Sequence, residues 1–155
     1  MSQAFRSATR SLYTTLLCAI SVATSPAAWA QKPTPPPPDS AEEAAQKAAD
    51  SWLKLVDGAQ YSDSWDSASS LFRKAVTKSD WNQAVAQVRG PLEPFGARTL
   101  QSRQYTTTLG HAPPGQYVVM VYRTSVANGG HVIETVTMMK EDSRWRNAGY
   151  RVRPD

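Results

Sequence analysis

Side chains that bind metals or act as nucleophiles are scarce in this sequence. Its 155 residues include one cysteine, Cys18, and two histidines, His111 and His131. Cys18 lies in an N-terminal apolar segment that we expect to be removed, so the mature protein has neither disulfides nor thiolate chemistry. Two isolated histidines without cysteine are too few for a metal site. The sequence therefore predicts no metal and no cofactor.

Catalytic motifs are missing as well. There is no G-x-S-x-G segment to activate a serine, and the eight glycines lie at predicted turns and helix ends, not in a phosphate-binding loop. A proton-transfer site made of His111, Asp57 and Tyr122 is conceivable, but nothing in their spacing brings them together. We therefore interpret the chain as a protein without catalytic activity and keep a small pocket enzyme as the alternative.

Runs of basic residues are also absent. Seventeen Lys and Arg stand against thirteen Asp and Glu, for a net charge of +4. Arg6 and Arg10 leave with the N-terminal segment, which lowers the mature charge to about +2 and removes the electrostatic attraction that nucleic-acid binding requires. We therefore expect no nucleic-acid partner.

What the sequence does contain begins with a secretory signal over residues 1–30. A basic start is followed by an apolar run from Leu12 to Ala23 and by Ala28-Trp29-Ala30, a small-x-small site that places cleavage between Ala30 and Gln31. The apolar run is shorter than the roughly 20 residues that cross a bilayer. We predict a periplasmic or secreted bacterial protein, in contact with a membrane only through an uncleaved signal.

A proline-rich linker over residues 31–40 follows the signal, with prolines at 33 and 35–38. Such a run favours extended polyproline II structure. It serves either as a spacer, the favoured interpretation, or as a recognition segment for a proline-binding groove. The remaining residues, 41–153, predict a single α+β domain with one core.

The first half of this domain has helical periodicity. Ser40 to Glu43 form a predicted capping box before a helix that continues through Val56 and stops at Gly58. Two further helices are expected, one over 61–72 and one starting near Thr77. Trp52, Tyr61, Trp65, Phe72 and Trp81 fall on the inward stripes of these helices, so we interpret them as core. Asp57 and Asp66 are interpreted as caps or solvated charges.

The second half alternates with period two. Four strands are predicted, over 98–108, 115–126, 131–140 and 144–153. Asn128-Gly129 and Asp142-Ser143 are suited to two-residue hairpin turns. These turns set a register that aligns Arg123, Glu134 and Arg151 across three strands. The row is either a surface ion-pair ladder, the favoured interpretation, or a carboxylate held by two guanidiniums beside an anion-binding pocket.

These residues resemble the domain of unknown function 4019 family of small exported bacterial proteins. The resemblance covers nearly all of residues 44–152, and it is carried by Trp52–Gly58, Tyr61, Ser64-Trp65, Phe72, Trp81, Arg89–Leu92, Gly96–Arg98, Pro114–Val119, Glu134–Thr137, Trp145-Arg146 and Gly149-Tyr150. It implies a bacterial envelope location and no catalytic residue. The segment Glu93-Pro94-Phe95 departs from the leucine-rich linker usual in the family.

Three N-terminal helices followed by four strands predict an α+β fold, with the helices packed on one face of a curved antiparallel sheet. The order is similar to nuclear-transport-factor-2-like (NTF2-like) or cystatin-like cones, which implies nothing by itself about function. We expect a non-catalytic binding or interaction module of the envelope. Its expected partner is an envelope protein, a small ligand carried in an NTF2-like cavity, or a second copy bound through a sheet face.

Overall fold

The computed structural model describes residues 37–155, so the signal, its cleavage site and most of the linker lie outside the described residues. The helices are α1 (Pro38–Asp57), α2 (Tyr61–Asp66), α3 (Ser70–Ala75) and α4 (Lys78–Arg89), followed by a 3-10 turn at Gly90–Leu92. The strands are β1 (Arg98–Thr106), β2 (Tyr117–Ser125), β3 (His131–Glu141) and β4 (Arg144–Pro154). They form one antiparallel sheet in chain order. The predicted α+β class, with helices before a four-stranded sheet, is confirmed.

Helix α1 is the long helix of the domain. It begins at Pro38, where a missing N–H costs nothing. The predicted capping box does not form, because the Ser40 hydroxyl donates to the carbonyl of Pro37 and does not accept from the first turn. The inward stripe of α1 consists of Ala41, Ala45, Ala49, Trp52, Leu53 and Val56, all buried.

The stretch predicted as one second helix is two short ones. The chain leaves the helical path after Asp66, and Ser69 caps α3 by accepting from the N–H of Phe72 at 3.2 Å. The N–H of Ser69 donates to the carbonyl of Asn147 at 2.8 Å, so the break docks against β4. The domain therefore has four helices where the periodicity predicts three.

One face of the sheet packs against the helices and carries the core. From β2 it presents Val118, Met120, Tyr122 and Thr124, and the facing positions of β3 are Met138, Val136, Glu134 and Val132. Trp52, Phe72 and Trp81 pack on this surface, each less than 10 % exposed, with Trp81 edge-on to Phe72. Their predicted burial is confirmed, whereas Tyr61 and Trp65, also predicted as core, are only partly buried against it. No helix within residues 37–155 has the length and apolar character to cross a membrane.

The predicted hairpin register is wrong by one residue at Glu134. The loop between β2 and β3 has five residues with a 3-10 turn at Ala127–Gly129, so Glu134 pairs with Tyr122 and not with Arg123. The Asp142-Ser143 turn is as predicted, with Glu141 opposite Arg144. A bulge after Thr137 then shifts β4, so that Glu134 pairs with Val152 and not with Arg151.

Because neighbouring positions of a strand point to opposite faces, this slip dissolves the predicted row. Arg123 pairs with Ile133, and its Nε donates to Asp155 Oδ2 at 2.7 Å. Arg151 pairs with Thr135 and is exposed. Of the three residues, only Glu134 faces the helices.

Candidate functional site

A group of polar side chains, buried around Glu134 and partly exposed at Asp57 and Arg98, joins the helices to the sheet. This buried ion cluster consists of Asp57, Arg89, Arg98, Thr124, Glu134 and Tyr150. Asp57 and Arg89 are the last residues of α1 and α4, and Arg98 is the first of β1. The cluster therefore fixes two helix ends against all four strands.

Glu134 is the centre of the cluster and is fully buried. Its Oε2 accepts from Arg98 Nε at 2.7 Å and from the Thr124 hydroxyl at 2.6 Å. Its Oε1 accepts from Arg89 Nη1 at 3.2 Å and from the hydroxyl of Tyr150. Both carboxylate oxygens are thus fully used by neighbours within the domain.

Asp57 closes the other side of the same cluster. Its Oδ1 accepts from Arg89 Nη2 at 2.6 Å and from Arg98 Nη2 at 2.7 Å, while its Oδ2 accepts from Arg98 Nη1 at 2.6 Å. Burial alone would raise the pKa of Asp57, but the hydrogen bonds and charges of Arg98 and Arg89 outweigh burial and lower it. Asp57 is therefore an ion-pair partner, which corrects its interpretation as a cap or solvated charge. Asp66 is exposed, pairs with Lys78 at 2.7 Å and fits that interpretation.

The charged groups of the cluster pair with one another, and Glu93 at its edge adds a third carboxylate, whose Oε1 lies 3.9 Å from Arg89 Nε. Two guanidiniums face two carboxylates, and the described residues contain no histidine, cysteine, aspartate and glutamate grouping suited to a metal ion. Burial and the charge of Glu134 raise the pKa of Tyr150 far above its ordinary value, so its hydroxyl stays protonated as a donor. These contacts hold the ends of α1 and α4 against the sheet.

Arg89 and Arg98 are the functional residues that sequence reasoning missed. Arg89 is 1 % exposed and lies one and two turns after Val85 and Trp81 on the inward stripe of α4. A cation in that position must find a buried partner, which is the signal that could have found it. Phe95, in the segment that departs from the family pattern, lies 3.6 Å over the Arg89 guanidinium.

The conceivable proton-transfer trio does not assemble. His111 is exposed in the loop after β1, whereas Asp57 binds Arg98 at the start of β1, more than about 20 Å away at 3.3 Å per residue. Tyr122 is buried and donates to Met120 Sδ at 3.4 Å. Burial raises the pKa of Tyr122 to about 12. His131, the second histidine, is exposed at the start of β3.

A second feature is a concave site between α1 and β4, which we call the tryptophan pocket. Its volume is about 280 Å³, and its lining comes from Ala48, Ser51, Trp52, Leu55, Ser67, Met138, Arg144, Trp145, Arg146 and Asn147. The walls are mainly apolar, with two tryptophans and two arginines. Asn147 lies opposite Met138, as the predicted Asp142-Ser143 turn implies, and the bulge follows at the next pair, where Gly149 is opposite Thr137.

Two polar atoms of this pocket lack hydrogen-bond partners among the described residues. Asn147 is 1 % exposed, and its Oδ1 accepts no hydrogen bond. Its Nδ2 donates to the carbonyl of Gly149 at 3.1 Å, which fixes the orientation of the amide. Arg146 Nε is also unpartnered, at 3.5 Å from Glu141 Oε2. Unsatisfied buried groups are uncommon in native domains and call for an explanation.

The chain is similar to a protein family and to a solved structure. A family model described as "Protein of unknown function (DUF4019)" matches residues 48–150. No curated protein matches the chain. One similar solved structure is "Structure of Bdellovibrio bacteriovorus Bd1075", at 11 % sequence identity with a TM-score of 0.45. That match covers 71 % of this chain and 39 % of the other.

Proposed function

The chain belongs to the domain of unknown function 4019 family, and we propose that it is a non-catalytic binding module of the bacterial envelope. The observation that carries this proposal is the closure of the buried ion cluster. Both carboxylate oxygens of Asp57 and of Glu134 accept hydrogen bonds from Arg89, Arg98 and their neighbours. Asp57 is 31 % exposed, but both of its oxygens are held by arginines, so the cluster presents no unpaired carboxyl or imidazole to act as a general acid or base.

A small ligand fits the surface better than a large apolar partner does. Val88, at 48 %, is the one large hydrophobic side chain of residues 37–155 that is well exposed. Val88 borders an apolar concavity of about 400 Å³, which it lines with Leu92, Val126, Val132 and Val152, a volume suited to a small ligand. The tryptophan pocket, in contrast, combines apolar walls with a few polar groups, the usual composition of ligand sites.

Native mass spectrometry of the protein purified from its own periplasm tests the binding function. We expect a stoichiometric extra mass, from a retained small molecule or a partner chain, that disappears after denaturation and refolding. The same spectrum counts copies and so tests the proposed homodimer through the outward face of the sheet. A chain recovered only as a bare monomer would contradict the proposed function.

Envelope location is the second part of the proposal and is supported by the signal layout of residues 1–30. We expect the periplasmic form to have the mass of a chain that begins at Gln31. A variant without residues 2–30 should remain in the cytoplasm. Recovery of the full-length chain from the cytoplasmic fraction would contradict this part alone.

A further inference from the structure

The walls of the tryptophan pocket set the size and shape of what it can hold. Trp52 and Leu55 of α1 face Met138 and Trp145 of the sheet across a volume of about 280 Å³. Ligand pockets usually measure about 300–1,000 Å³, so this one lies at the small end. Trp52 is only 4 % exposed and already packs on Trp81 and Tyr150, so the half-buried Trp145 is the aromatic wall on which a flat partner can stack. The space therefore fits one ring or two fused rings better than a lipid chain.

The floor of the pocket contains an unpaired hydrogen-bond acceptor. Asn147 is buried with its Oδ1 unpartnered, while its Nδ2 is committed to Gly149. A buried acceptor left without a donor costs about 1–3 kcal/mol. A ligand N–H or O–H that reached Oδ1 would recover part of this cost.

The rim of the pocket carries positive charge that can attract an anion. Arg144 is exposed, and the described residues show no carboxylate paired with it. Arg146 donates through Nη1 to the carbonyl of Ser67 at 3.3 Å and is ion-paired with Glu141, whose Oε2 lies 3.5 Å from its Nε, so among the described residues Arg144 is left to meet an anion. No aspartate or glutamate belongs to the lining formed by residues 37–155. Guanidinium groups favour carboxylates and phosphates.

We propose that the tryptophan pocket binds a small planar aromatic anion that carries an N–H or O–H donor. The ring packs on Trp145, the anionic group meets Arg144, and the donor meets Asn147 Oδ1, which is closed to solvent until the floor of the pocket shifts. This inference rests on the proposed binding function and names the class of ligand.

Isothermal titration calorimetry with indole-3-acetate as the probe tests each of the three contacts. Indole lacks the carboxylate, and naphthalene-1-acetate lacks the N–H. We expect indole-3-acetate to bind most tightly. Relative to it, the affinity of indole should be lower by about tenfold or more, and that of naphthalene-1-acetate by about two- to tenfold. Equal affinity for all three compounds, or no binding of indole-3-acetate at millimolar concentration, would overturn the proposal.

Two matched variants locate the site without endangering the fold. Arg144→Gln removes an exposed charge at the pocket, and Arg151→Gln removes an exposed charge on the same strand outside the pocket lining. We expect Arg144→Gln to weaken indole-3-acetate about tenfold while leaving indole unchanged, and Arg151→Gln to stay within about twofold for both. Equal effects of the two variants would overturn the proposed site.

The failures of the two proposals are distinguishable. If protein from the periplasm retains a molecule that Arg144→Gln releases no faster than Arg151→Gln does, the binding function stands and the tryptophan pocket is not its site. If the periplasmic protein is a bare monomer and no probe binds, both proposals fail.

Discussion

At the scale of single residues, Glu134 has the largest predicted effect on stability. It is fully buried and accepts from Arg89, Arg98, Thr124 and Tyr150. Buried ion pairs add little net stability relative to apolar residues, but removal of one partner leaves the other charge uncompensated. Glu134 is therefore needed to compensate the charges of two arginines, although the cluster as a whole adds little net stability.

Glu134→Gln should therefore lower the free energy of unfolding by about 3–5 kcal/mol. Urea unfolding followed by tryptophan fluorescence measures the loss. Glu43→Gln, at an exposed position of α1, is the matched control and should change stability by no more than about 0.5 kcal/mol. A stable Glu134→Gln protein that had lost a ligand would instead assign Glu134 to binding.

At the scale of secondary-structure elements, the β3–β4 hairpin stores backbone strain at a defined place. Asp142 and Ser143 both have positive φ, 46° and 65°. This conformation matches the two-residue turn that the sequence predicts, and glycine adopts it at the lowest cost. The backbone of the turn therefore fits a two-residue hairpin, but Ser143 occupies a position that glycine would fill at lower cost.

Ser143→Gly should stabilise the domain by about 1 kcal/mol, because glycine has no Cβ to clash in the left-handed region. The melting temperature measures the change. Ser143→Ala keeps the Cβ and should give no such gain. A lower melting temperature for the glycine variant than for the alanine variant would contradict this description of the turn.

The elements also show how far sequence reasoning reaches. Alternation predicted all four strands, because a half-buried sheet imposes period two on its side chains. It could not predict the five-residue loop between β2 and β3 or the bulge after Thr137, since both depend on packing and not on periodicity. The site follows the same rule. The sequence predicts Glu134 beside Arg123 and Arg151, and both partners are wrong, because Arg89 and Arg98 reach it only through tertiary structure.

At the scale of the whole molecule, the carboxylates that anchor one element to another make stability depend on pH. The pKa of Asp57 lies below its ordinary 3.8, since Arg98 and Arg89 together outweigh burial. The pKa of Glu141 lies below its ordinary 4.5, chiefly because Ser70 at the start of α3 donates to it. A lowered folded-state pKa stabilises the domain above the ordinary value, and that stabilisation is lost as pH falls through the folded-state pKa.

We therefore expect the melting temperature to fall steeply below about pH 4 and to be nearly flat above about pH 6. Thermal melts followed by circular dichroism across this range measure the dependence. Asp57→Asn should melt lower at neutral pH and show a shallower acid slope. A slope equal to that of the wild type would show that Asp57 is not among the groups that set it.

The most direct test of the whole account is a chemical-shift map of the ¹⁵N-labelled domain titrated with indole-3-acetate. The account assigns binding to the tryptophan pocket and leaves the buried ion cluster as structure alone. It predicts that the largest shifts occur at the indole N–H group of Trp145 and at the backbone of Arg144–Asn147. Shifts centred instead on Asp57, Arg89 and Phe95 would contradict it.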